Sequence, residues 1–332
     1  MPVFVLSASW ESETRLTTWH ADPAVGLLLG AAAIGYGAAY RAARRAARPV
    51  PPGWRVGAYL AGLASVALAL AGPPAHLQAQ LFTAHMVQHL LLMLVAAPLI
   101  VLGRPEQVAL QGLPVAWRRA LLRRLVGWRP GRRLLATLTG PVSVGVLFNG
   151  GVLLWHLPAL YQAAVQHPLV HELEHAWFLG TAFLYWRLLD GPVLGRRQPV
   201  EAVLLLVFAT WMVSDLLGAT LTLAGQLLYP VYGAAPKPWG WTPLGDQRLG
   251  GLVMWLGGGV YYAAVLLGVL VAPHVRRRAG SSPRAGTALA FRPCASDGRE
   301  TRRGSPFGPG ELAMASAARN HAPSQGGSDD DC

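Results

Sequence analysis

Seven mostly apolar stretches follow one another along the chain, separated by short polar or arginine-rich loops. They run Pro23–Tyr40, Val56–Ala71, Leu81–Leu102, Pro141–Trp155, Leu169–Leu189, Glu201–Tyr229 and Leu249–Ala272. A helix needs about 20 apolar residues to cross the hydrocarbon core of a bilayer. The first, second and fourth stretches are short, and the sixth is long enough to tilt or bend. The pattern predicts an all-α integral membrane protein, a bundle of about seven transmembrane helices over residues 23–275. Residues 1–22 precede the bundle and residues 276–332 follow it.

Composition supports a lipid environment. The chain is 53% hydrophobic and only 13% charged, whereas a soluble domain carries about a quarter charged residues. Its net charge of +12 does not point to nucleic acid, because the arginines lie in short loops beside apolar runs. Loops after the first, third and fifth stretches hold sixteen arginines, including Arg41, Arg104, Arg133 and Arg187. The opposite loops offer only Arg15, Lys237 and Arg248. By the positive-inside rule the arginine side is cytoplasmic. The N-terminus is then outside and the C-terminus inside, where the seventh stretch meets Arg276–Arg278. The N-terminal residues lack a basic region, so no cleaved signal peptide is expected. The last residues, rich in Ser, Gly, Pro and Arg, bury too little apolar surface to fold alone and read as a disordered cytoplasmic tail. Arg118–Arg133, with Trp117 and Trp128, reads as an ordinary positive-inside loop or as an amphipathic helix on the inner leaflet. Trp239 and Trp241 suit a membrane interface.

Chemistry concentrates in the histidines. HMVQH places His85 and His89 four residues apart at the start of the third stretch, and HELEH does the same for His171 and His175 in the fifth. A four-residue step puts both imidazoles on one helix face, about 6 Å apart along the axis. His156 closes the fourth stretch at the same, outer side. His20, His76 and His167 fall in outer loops, while His274 and His321 do not share that side. Two such pairs at matching depth point to metal or cofactor binding, since polar groups within spans are costly and mark function. Cys294 and Cys332 both lie in the tail, so a metal in the bundle must be held by His, Met or carboxylate. Met86 and Met93 flank the first pair, and thioether with imidazole suits copper, Cu(I) especially. Zinc also accepts imidazole. HELEH further matches HExxH, with Glu172 as the base of a zinc metalloprotease. A haem held by one His from each of two helices is a third reading. Asn149, Asp215 and Met254 are candidates to support the ligands: Asn149 shares a face with His156 and could orient one, Asp215 is a lone carboxylate inside the sixth stretch that could do the same, and Met254 enters the seventh from the outer side and could reach the same pocket.

HMVQHLLLMLVAAPLIVLGRP at 85–105, FNGGVLLWHLPALYQAAVQHPLVHELEHAWFLGTAFLYW at 148–186 and DQRLGGLVMW at 246–255 together resemble the polytopic CtaG family of cytochrome c oxidase assembly factors. The likeness spans most of residues 20–275. It implies a non-enzymatic, seven-helix protein of the bacterial cell (inner) membrane that handles copper during formation of oxidase metal centres. It implies His85, His89, His156, His171 and His175 as ligands, transiently bound copper as cargo, and oxidase subunits as partners beside the bilayer, with no nucleic acid. Glu172 is not a defining position of that family.

Overall fold

Pro, Gly and capping residues divide the apolar stretches into helices, seen in a computed structural model that describes residue 19 and residues 22–191, 198–234 and 240–280. Asp22 caps α1 (Pro23–Arg45), accepting hydrogen bonds from the amides of Ala24 and Val25. Helix α2 (Gly53–Ala71) and the short α3 (Pro73–Leu77) follow. Next, α4 (Phe82–Leu90) passes through a π-helical stretch, Leu91–Ala96, into α5 (Ala97–Leu102). Three helices follow: α6 (Pro105–Gly112), α7 (Val115–Gly127) and α8 (Arg129–Leu138). After them come α9 (Pro141–Trp155), α10 (Pro158–Gln166), α11 (Pro168–Asp190) and α12 (Val200–Leu223). Finally α13 (Pro243–Leu252) runs through a second π-helical stretch, Val253–Gly257, into α14 (Gly258–Gly280). Pro occupies the first turn of α10 and α11, where its missing N–H costs nothing.

All seven apolar stretches are helical, but their extents need correction. The sixth stops at Leu223, short of the expected Tyr229. Residues 224–229 leave the helix because Gln247 takes over their backbone: its side chain accepts from the Leu228 amide and donates to the Gln226 carbonyl. The last helix continues to Gly280, so residues 276–280, expected in the tail, are helical. Arginine and alanine there are good helix formers. Arg118–Arg133 is broken at Trp128 into α7 and α8. Among the described residues, five helices are long and apolar enough to cross a membrane, and a sixth is added if α8 and α9, bent by 56°, form one span. Helix α11, which opens with the polar HELEH segment, is not in this set. The expected count of seven and the direction of the termini are therefore not established. The tail beyond residue 280, His20, Arg15, Arg196, Arg197, Lys237, Trp239, His321, Cys294 and Cys332 lie outside the described residues.

Helices α4–α5 and α11 run side by side in the same direction. Their first turns bring histidine rings together, and their far ends meet where Arg104 pairs with Asp190 at 3.1 Å. The bundle thus has a histidine end and an arginine end. At the latter, Arg48 donates to the carbonyls of Gln111 and Leu113, Arg55 to that of Leu102 and Tyr36 to that of Gly103. These are orphan carbonyls at helix ends, which need partners. The main core joins α4–α5, α9, α10, α11, α12 and α14 through Met86, Phe148, Tyr161, Phe178, Tyr185, Val207 and Tyr262. Helix α1 stands at the edge, with Leu27, Leu28 and Ile34 largely exposed, a surface suited to lipid.

Candidate metal centre

The first helix of the site cannot cap itself. Leu81 stands at its N-cap position and supplies no side-chain acceptor. Asp246 does so from α13: its carboxylate accepts from the amides of Phe82 (2.8 Å) and Thr83 (3.0 Å), and its carbonyl accepts from the Thr83 hydroxyl. This clamp fixes the turn that presents His85 and His89. Gln88, on another face of α4, donates to the Ala69 carbonyl and ties α4 to α2.

The two histidine pairs meet as a four-membered ring. Ring centroids are 4.3 Å apart for His85–His89, 5.5 Å for His89–His175, 4.1 Å for His175–His171 and 5.1 Å for His171–His85. Glu174 projects into this group and is fully buried. One of its oxygens lies 3.5 Å from His85 Nε2 and 3.7 Å from His89 Nε2. One donor atom from each of His85, His89, His171 and Glu174 lies within 4.8 Å of all the others. His85 Nε2, both nitrogens of His89, His171 Nε2, His175 Nε2 and both oxygens of Glu174 make no hydrogen bond. Native proteins rarely leave buried polar atoms in that state, and each costs about 1–3 kcal/mol. A cluster of them around one point fits a cation that takes several lone pairs at once. Imidazole and carboxylate suit copper or zinc.

Aromatic residues close the histidine end. Tyr161 lies 4.9 Å from the His85 ring and packs at a tilt against Phe82 and Tyr229. Tyr232 bonds with the Tyr161 hydroxyl at 3.0 Å and with His85 Nδ1 at 3.3 Å, orienting the ring so that Nε2 faces the cluster. Burial pushes the Tyr229 and Tyr232 hydroxyls well above the ordinary phenol range, so both stay neutral hydrogen-bond donors.

A model of the family described as "Cytochrome c oxidase caa3 assembly factor (Caa3_CtaG)" matches residues 34–274, most of the chain and all of these elements. The chain belongs to this family. Similar curated proteins are the uncharacterized proteins Mb0105 of Mycobacterium bovis and MT0111 of Mycobacterium tuberculosis, each 29% identical over 244 residues, and ML1998 of Mycobacterium leprae, 27% identical over 243 residues. Each alignment covers 72% of this chain and 37% of the relative, so the chain spans little more than a third of their length. No solved structure matches it.

In this Caa3_CtaG member the expected residues do not all share one place. His85, His89, His171 and His175 come together. His156 stands at the edge, 6.2 Å from the Tyr161 ring, with Nδ1 on the Val152 carbonyl at 2.7 Å and its own carbonyl accepting from Tyr229. Met93, Asn149 and Met254 line a small cavity whose lining includes no histidine. Met86 packs in the main core, one residue and about 100° round the helix from His85. The Asp215 carboxylate lies over Gly259 of α14 and makes none of the cluster's contacts. Glu172 is exposed, so the HExxH reading loses its base. Glu174, at the third position after His171, was not singled out by the sequence, although a three-residue step lies on the same face. Asp246 and Gln247 also escaped notice, because their partners are distant in sequence.

Proposed function

We propose that this protein is a non-enzymatic assembly factor for a haem–copper oxidase in the bacterial inner membrane, and that copper is its cargo. The family supports the oxidase; the convergence on buried Glu174 of imidazole nitrogens that make no hydrogen bond carries the metal. His85, His89 and His171 with Glu174 hold the ion, and His175 completes the wall. The Glu174 carboxylate balances a monovalent cation, which lowers the cost of burying either charge alone. Ligands of this kind exchange, so the ion passes to an oxidase subunit docked at the histidine end or beside it in the bilayer. Met86 and Met93 are not needed for this cluster.

Metal and optical analysis of the purified protein tests the proposal. Wild-type protein retains copper, His85→Ala/His89→Ala loses it, and neither shows a haem band. Copper at full occupancy in the double variant would overturn the assignment. A Soret band would make the protein an electron carrier instead. The ring packing argues against that outcome, since the facing imidazoles are edge-to-face at 5.1 and 5.5 Å and leave no slot for a macrocycle.

One observation favours a second reading. Glu174 sits where a general base would stand beside a histidine-bound metal, so metal-assisted hydrolysis keeps a structural basis with Glu174 in place of Glu172. Zinc in the purified protein, with Glu174→Gln keeping the metal but losing hydrolysis, would support it.

A further inference from the structure

Met93 and Met254 reach one small cavity from two different helices. Its volume is about 20 Å³, and Asn149, Thr210, Ser214 and Tyr262 also line it. That is room for one water or one monatomic ion. Both methionines are buried.

The backbone supplies a second, independent observation. Met93 lies in the π-helical stretch Leu91–Ala96 and Met254 in the π-helical stretch Val253–Gly257. Such stretches are rare and occur often at functional sites. They are held in place here. Trp186 of α11 donates to the Met93 carbonyl at 2.8 Å. Gly218 of α12 lets Trp255 approach so closely that a Cβ at 218 would stand 2.7 Å from the Trp255 amide nitrogen. A methionine that merely fills the core needs no such distortion, because its flexible side chain fits an ordinary helix.

We propose that Met93 and Met254 form a thioether station for Cu(I), one helical turn deeper than the imidazole–carboxylate cluster. The station deepens the copper reading and rests on it for the identity of the ion. Two soft, uncharged sulfurs in an apolar setting select Cu(I) over zinc or magnesium. The Asn149 amide oxygen and the Ser214 hydroxyl can complete its neutral coordination. None of the lining residues is charged, so the station binds more weakly than the cluster containing Glu174. His89 and Met93 are four residues apart in sequence, about 6 Å along the helix axis. The ion changes ligands without changing oxidation state. Asn149 also lines a larger space of about 430 Å³ between α9 and α12, so one side chain borders both.

The test uses full-length protein in nanodiscs, loaded anaerobically with Cu(I). Metal content and copper K-edge X-ray absorption are read for wild type, Met93→Leu/Met254→Leu and His85→Ala/His89→Ala. Wild type shows nitrogen or oxygen and sulfur shells. The leucine variant loses the sulfur shell and one equivalent of copper; the alanine variant loses the imidazole shell. Leucine replaces methionine with little change in volume, and thermal melting of each variant confirms that it remains folded. A wild-type spectrum without sulfur, or a leucine variant that keeps its sulfur shell, overturns the station. If copper depends on the histidines alone, the station falls and the copper reading stands. If wild type takes no copper at all, both fall.

Discussion

Two carboxylates in HELEH have different fates. Glu172 faces outward, while Glu174 is buried among imidazoles with neither oxygen hydrogen-bonded. Glu172→Gln should therefore leave metal retention and stability unchanged. Glu174→Gln should weaken retention about 10–100-fold, read by competition with a chelator. Equal effects of the two would place Glu174 outside the site. The histidine pairs were legible because a four-residue step identifies one face of one helix. Glu174 lies on that same face, yet only a second helix bringing His85 and His89 against it distinguishes it from any other acid. Met93 shows the converse: spacing grouped it with His89, but the π-helical stretch beginning at Leu91 alters the register between them.

At the level of elements, the seven apolar runs were legible and their joints were not. The end of α12 depends on Gln247 and the start of α4 on Asp246, both contributed by α13. Asp246→Ala should lower stability by about 1–2 kcal/mol, the usual cost of losing a helix cap. Asp246→Asn, still able to accept from an amide, should retain most of it. Thermal melting in detergent measures both, and equal melting of Asp246→Ala and wild type would refute the clamp. Glycines give a second contrast. Gly218→Ala drives a Cβ into the Trp255 backbone and should cost about 1–3 kcal/mol. Gly268→Ala meets nothing within 4 Å and should be neutral or stabilising by up to about 1 kcal/mol.

Across the whole molecule, charge and chemistry occupy opposite ends. Arg48 and Arg55 bind carbonyls at helix termini and Arg104 pairs with Asp190 at one end, and the imidazole cluster closes the other. The excess of arginine on one set of loops predicts that this end faces the cytoplasm. A green fluorescent protein fused at the C-terminus should therefore fluoresce, and an alkaline phosphatase fused there should be inactive. The reverse pattern would invert the topology and place the histidines inside. The Asp246 clamp has a consequence in time as well as in space. The Asp246 carboxylate is added to the growing chain 164 residues after Phe82, the amide it must hold. Until α13 arrives, the ribosome has delivered every histidine of the cluster, but their first helix has no anchor. The histidine cluster is thus complete only once α13 has been made, and on the copper reading a chain that stops short of α13 would have little grip on the ion.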